Sequence, residues 1–141
     1  MRIYVTYCSA TKDVSLKDAD SQITPDILYT GNRIQGFMRT CKERSVCWAI
    51  FSDLYGIWFP NVTHTWYEKD PDTVTEQEFR KLLDDFDEKL QDYDELWFYY
   101  NPSCFHRLYR KLLRETKLVK RVRKFSHIRE INAESSFSVN G

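Results

Sequence analysis

Cys8 and Lys12 stand close together, directly after the apolar and aromatic run Arg2–Tyr7. A thiol beside a cation is the pattern of an activated nucleophile, because nearby positive charge favours the thiolate. No histidine adjoins Cys8 in sequence to take its proton, so two readings stand: a nucleophile, or a buried thiol closing a strand. Lys12 by itself can hold a phosphate or carboxylate as a point charge. A second group, Ser52, Asp53, Tyr55 and Gly56, follows the apolar stretch 48–51. Asp53 can act as a general acid or base, and Tyr55 can stack or hydrogen-bond. Gly56 offers the positive φ of a tight turn. The same four residues also read as a turn with a capping side chain. Tyr29, Trp66 and Tyr67 can stack on a planar ligand such as a base, or fill a core. Asn101 is both donor and acceptor, suited to a base edge, an amide or a helix cap.

Several chemistries are disfavoured by the same reading. The chain of 141 residues has four glycines, none clustered, so it lacks a Gly-rich phosphate cradle. There is no GxSxG nucleophile elbow. The four cysteines form no CxxC pair, and the three histidines do not stand at zinc spacing beside them. His106 and His127 read as surface or packing residues. No metal and no cofactor is expected, and reduced thiols point to the cytoplasm. The first residues do not resemble a signal peptide. No apolar run approaches the roughly 20 residues of a membrane helix. The sequon Asn61-Val62-Thr63 is read as chance.

The elements that must position these groups alternate. Strands are expected over Arg2–Tyr7, 46–51, 94–100 and 117–125. Helices are expected from Asn32, from Thr75 with a Thr75/Glu78 capping box, and from Asn101-Pro102. Residues 13–24 read as a loop over the site, and 61–74 as a long loop of functional character. This order predicts an α/β fold: three-layer, with a mostly parallel four-stranded sheet and helices on both faces. One domain spans 1–131, with a disordered tail over 132–141. In such sheets ligands sit at the carboxyl ends of the strands. Cys8 and Ser9, Ser52 and Asp53, and Asn101 are therefore expected to meet at one edge.

Net charge is zero, yet the charges are sorted. Over 68–95, Asp and Glu outnumber Lys and Arg twelve to four; over 107–129, Lys and Arg outnumber Glu115 ten to one. Two solvated faces account for this, as does an electropositive surface for phosphates carried by Arg107, Lys111, Arg114, Arg121, Arg123 and Lys124.

Three patterns recur in a known order: Cys8-Ser9-Ala10-Thr11-Lys12 after a strand, Leu28-Tyr29-Thr30-Gly31, and Ser52-Asp53-Leu54-Tyr55-Gly56 followed by a proline and Tyr67. Together they resemble the CSxxK, LYxG and SxLYG motifs of small uncharacterised prokaryotic and archaeal domains related to the YaaA peroxide-stress proteins. The resemblance covers roughly residues 2–115. Cys8 and Lys12 are also similar to the opening of the uracil-DNA-glycosylase-like domain of archaeosine synthase, although Asp13-Val14 stands where that motif has Pro-Tyr. These likenesses imply a nucleic-acid setting and a base-sized pocket. The combined expectation is a pocket for a nucleobase or nucleotide lined by Cys8, Ser9, Lys12, Tyr29, Ser52, Asp53, Tyr55, Gly56, Tyr67 and Asn101. If catalytic, it acts on a base or glycosidic bond through Asp53 or Cys8. The alternatives are a non-enzymatic DNA- or RNA-binding module and a protein-interaction module.

Overall fold

A computed structural model describes residues 1–18 and 20–133. Five strands pair in the order β3-β2-β1-β4-β5: β1 (Arg2–Tyr7), β2 (Cys47–Ser52), β3 (Gly56–Trp58), β4 (Glu95–Tyr99) and β5 (Val122–Phe125). β1 lies at the centre, parallel to β2 and β4; β4 is parallel to β5, and β3 is antiparallel to β2. The helices are α1 (Pro25–Leu28), α2 (Asn32–Glu43), α3 (Glu76–Leu90) and α4 (Arg107–Glu115). The fold is thus mixed α/β around a mostly parallel sheet.

β1 shows no polar alternation because both its faces are packed. Ile3, Val5 and Tyr7 join a core with Phe79, Leu83 and Phe86 of α3 and Leu108 and Leu112 of α4. Tyr4, one position out of phase, joins a second core with Ile34, Phe37, Met38 and Cys41 of α2. A strand buried on both sides reads as a continuous apolar run.

Where four strands are expected, the described residues form five. The chain turns back at Gly56, whose φ is 76°, and three residues pair with the end of β2 as an edge strand. Its outward backbone is met by α3. Ile57 N donates to Asp85 Oδ2 at 2.8 Å, and Lys89 Nζ donates to Ile57 O at 3.2 Å. Asp85 and Lys89 are themselves ion-paired at 2.8 Å, one helical turn apart. A Cβ at Gly56 would overlap the Asp85 carboxylate, so this position requires glycine for space as well as for conformation.

Three element starts also differ. Gly31, not Asn32, caps α2, and Gln35 donates instead to Asp26 O and Tyr29 O. Asn101 does not cap α4. Its Oδ1 accepts from Ser103 N and Ser103 Oγ in a turn, and the helix begins after His106, whose ring nitrogen accepts from Leu108 N. β5 is shorter than expected because Val119–Arg121 winds into a 3-10 turn. The Thr75/Glu78 capping box forms as read. Of the expected disordered tail, 134–141 lie outside the described residues. Among the described residues no helix is long and apolar enough to cross a membrane.

Candidate functional site

Because β1 and β2 run the same way, their last residues release two loops side by side. Cys8 N donates to Phe51 O at 3.0 Å, which pins the start of the first loop to the end of β2. Between the loops lies a cavity of about 190 Å³. The β1 end supplies Tyr7, Cys8, Ser9 and Lys12, and the β2 end supplies Asp53. The 61–74 segment adds Lys69 and Pro71; Cys104 and His106 come from the loop before α4, and Tyr109 from α4 itself. Arg33 of α2 steadies the rim, donating to Thr6 Oγ1 and Tyr7 O while its guanidinium lies 4.1 Å from the Tyr7 ring centre.

Asp53 is 3% exposed, and its Oδ1 is buried without a hydrogen-bond partner. Burial pushes its carboxyl above the usual range, opposed by a hydrogen bond from Cys8 and by the charge of Lys12. Of the two readings of Cys8, a nucleophile beside Lys12 or a buried thiol closing a strand, the second is favoured: its thiol is pushed up, first by burial and then by the negative charge of Asp53. The Lys12 ammonium sits over the Tyr67 ring at 4.6 Å and the Tyr29 ring at 5.9 Å. Cys8 therefore rests as a protonated thiol, with Sγ 3.5 Å from the Tyr109 hydroxyl.

Behind the cavity runs a buried polar chain. Ser52 Oγ donates to the Tyr67 hydroxyl at 3.0 Å, which leaves the Tyr67 proton for the Tyr29 hydroxyl. The same Ser52 oxygen accepts from Leu54 N and Tyr55 N and so shapes the turn that carries Asp53. Burial holds the Tyr29 and Tyr67 phenols far above their ordinary range. They act as neutral supports for Lys12, not as cavity wall.

Of the residues expected to line one pocket, Cys8, Ser9, Lys12 and Asp53 do so, and Tyr29, Ser52 and Tyr67 stand behind them. Tyr55 does not: its hydroxyl donates to Thr65 O at 3.1 Å and its ring stacks on His64 at 3.9 Å. It lines a neighbouring cleft with Glu78, Lys81 and Asp85, to which Asp53 also contributes. Gly56 serves the turn, and Asn101 is absorbed by Ser103. Sequence reasoning missed Lys69, His106 and Tyr109. Lys69 carried a signal, as the one Lys or Arg in the long 61–74 segment; His106 and Tyr109, at and within α4, read as packing.

His106 has a defined tautomer. Its Nδ1 accepts from Leu108 N at 2.9 Å, so the ring proton is on Nε2 and is donated to Asp72 Oδ1 at 2.7 Å.

The basic segment is less open than its composition suggests. Lys111 pairs with Glu76, and Arg107 lies 3.5 Å from Asp72. Arg121 donates to Gln91 O and Tyr93 O; it precedes β5 and so lies at the amino end of the parallel strands, away from the cavity. Arg123 is turned onto Lys120 O and Val122 O. Arg114 and Lys124, which have no carboxylate in ion-pair contact among the described residues, border a groove of about 460 Å³ between α4 and β5 with Leu113, Val119 and Val122. No family model matches this chain, and no match is found among curated proteins or solved structures.

Proposed function

We propose that the Cys8–Lys12–Asp53 cavity binds a nucleobase, or the base of a nucleotide, at the carboxyl edge of the parallel strands. The observation that carries this reading is Asp53: a carboxylate buried to 3% exposure, with one oxygen lacking a partner, in the wall of a cavity. Leaving such an acceptor unpaired costs about 1–3 kcal/mol, and a ligand N–H would recover that cost. At about 190 Å³ the cavity is smaller than the roughly 300–1,000 Å³ of drug-sized sites and suits a single ring system. Lys12 supplies positive charge beside it, while Lys69 is paired with Glu78 at 3.1 Å. If the bound base is turned over, Asp53 is the acid–base group, because its raised carboxyl can carry a proton nearer neutral pH, and Cys8 serves as a thiol donor. With α2 in one core and α3 and α4 in the other, we read the sheet as the middle of three layers. We place the protein in the cytoplasm, where its four free thiols stay reduced.

The test is binding of the common nucleobases by calorimetry, with mass spectrometry of small molecules released on denaturation. At least one base should bind the wild type and bind Asp53→Asn about tenfold more weakly, the value of one charge-assisted hydrogen bond. Failure of every base to bind, or an unchanged affinity in the variant, would defeat the reading.

A second reading rests on the α4–β5 groove. Arg114 and Lys124 are free of carboxylates there, as a DNA- or RNA-binding module needs. Binding of a single-stranded oligonucleotide would then weaken steeply with salt, and the slope would fall in the Arg114→Ala, Lys124→Ala double variant.

A further inference from the structure

The small cavity shares part of its wall with a neighbour. Pro71 and His106 also belong to the wall of a larger groove, of about 340 Å³, between the start of α3 and α4. That groove has Asp72 and Glu76 on one side and Arg107, Arg110, Lys111 and Arg114 on the other. Four cations against two carboxylates leave an excess of two positive charges, matching a phosphate monoester, which is close to a dianion at neutral pH.

At the junction, one carboxylate oxygen holds both donors. Asp72 Oδ1 accepts from His106 Nε2 at 2.7 Å and lies 3.5 Å from Arg107 Nη2. The Asp72 side chain is 61% exposed and that of Arg107 81%, so neither is locked in place by packing. An exposed ion pair of this kind contributes little to stability, and a phosphate dianion, with three acceptor oxygens, can outcompete it. Arg114 adds a cation without a carboxylate partner among the described residues.

We infer that the ligand of the small cavity is a phosphate monoester of a nucleoside, whose phosphate displaces the Asp72 carboxylate from His106 and Arg107. This rests on the proposed reading of the Asp53 cavity as a base site. Asp72 is a placeholder that keeps two donors oriented until the phosphate arrives. Its removal should therefore help binding, whereas removal of Arg107 should harm it. A purely structural role for the Asp72 contacts does not produce that opposition of sign.

The four ribonucleosides and their 5′-monophosphates are titrated calorimetrically into the wild type, Asp72→Asn and the Arg107→Ala, Arg114→Ala double variant, with thermal unfolding recorded for each protein. In the wild type, at least one monophosphate should bind about tenfold or more tightly than its nucleoside. That ratio should rise in Asp72→Asn and fall towards one in the arginine double variant, while nucleoside affinity stays level. A 5′-phosphorylated single-stranded hexanucleotide, compared with its unphosphorylated form, separates the two sources of the group. A phosphate gain for mononucleotides alone assigns a free nucleotide; a gain in the hexamer as well assigns phosphorylated strand ends too. Nucleosides binding with a ratio near one, or a ratio unmoved by both sets of variants, overturns this inference and leaves the base site standing. Absence of binding by nucleosides and monophosphates alike overturns both.

Discussion

Replacing Gly56 with alanine tests the turn that carries Asp53. Two costs are visible. The φ of 76° places an L residue in the left-handed region, at about 1–2 kcal/mol. The new Cβ also occupies the position of the Asp85 carboxylate. Asp85 must withdraw, which leaves Ile57 N without its acceptor, and an unsatisfied buried amide costs about 1–3 kcal/mol. Together the loss is about 2–5 kcal/mol, or a fall in Tm of roughly 6–20 °C for a chain of this size. Urea unfolding followed by tryptophan fluorescence measures it. A double-mutant cycle then separates the two costs. In an Asp85→Ala background the carboxylate is gone, so Gly56→Ala should cost only the conformational part, about 1–2 kcal/mol. Equal losses in both backgrounds would refute the steric argument. A loss below about 0.5 kcal/mol, within the range of ordinary surface changes, would refute the whole account of the turn.

Asp53 and the cysteines give two more tests. The Asp53 carboxyl titrates higher in the folded chain than in the unfolded one because burial disfavours its charge. The folded state therefore holds the proton more tightly, and the contribution of Asp53 to stability falls as pH rises from its unfolded value through its folded value. Asp26, Glu76 and Glu78 are shifted the other way, so urea midpoints of wild type and Asp53→Asn are compared at each pH. The wild type should gain on the variant as pH is lowered towards 4; a flat difference contradicts the burial argument. For the thiols, alkylation with iodoacetamide near neutral pH and peptide mapping should show the exposed Cys47 and Cys104 modified first. Cys41, pushed up to about 12 by burial, and Cys8 should lag behind. Cys8 reacting fastest would restore the activated-thiol reading.

What could be read from the chain follows from how local each signal is. β1 and α3 were legible because a run of β-branched and aromatic residues and a capping box followed by Phe79, Leu82, Leu83 and Phe86 are local patterns. β3 was not, because three residues are too few to show a period, and its pairing depends on a turn and on Asp85 from α3. Asn101-Pro102 imitated a helix start, yet Ser103 takes the Asn101 oxygen first. At the site, Cys8, Ser9, Lys12 and Asp53 were found because strand ends gather wherever strands are parallel. Tyr55, two residues beyond Asp53, was misplaced because the Ser52 turn directs its ring onto His64. His106 and Tyr109 were missed because only the docking of α4 on the sheet brings them to Cys8, and that contact spans about a hundred residues of sequence.

The ion pair that α3 lays along Ile57 limits how copies of this protein can associate. A neighbouring chain cannot extend the sheet at that margin without first breaking the Asp85 and Lys89 contacts. Growth by strand addition is left to the opposite margin, beside Val122–Phe125. There an antiparallel pairing centred on Arg123 and Lys124 would set them against the same two cations of a second copy. Both ends of the sheet thus resist self-pairing, one by occupancy and the other by like charge.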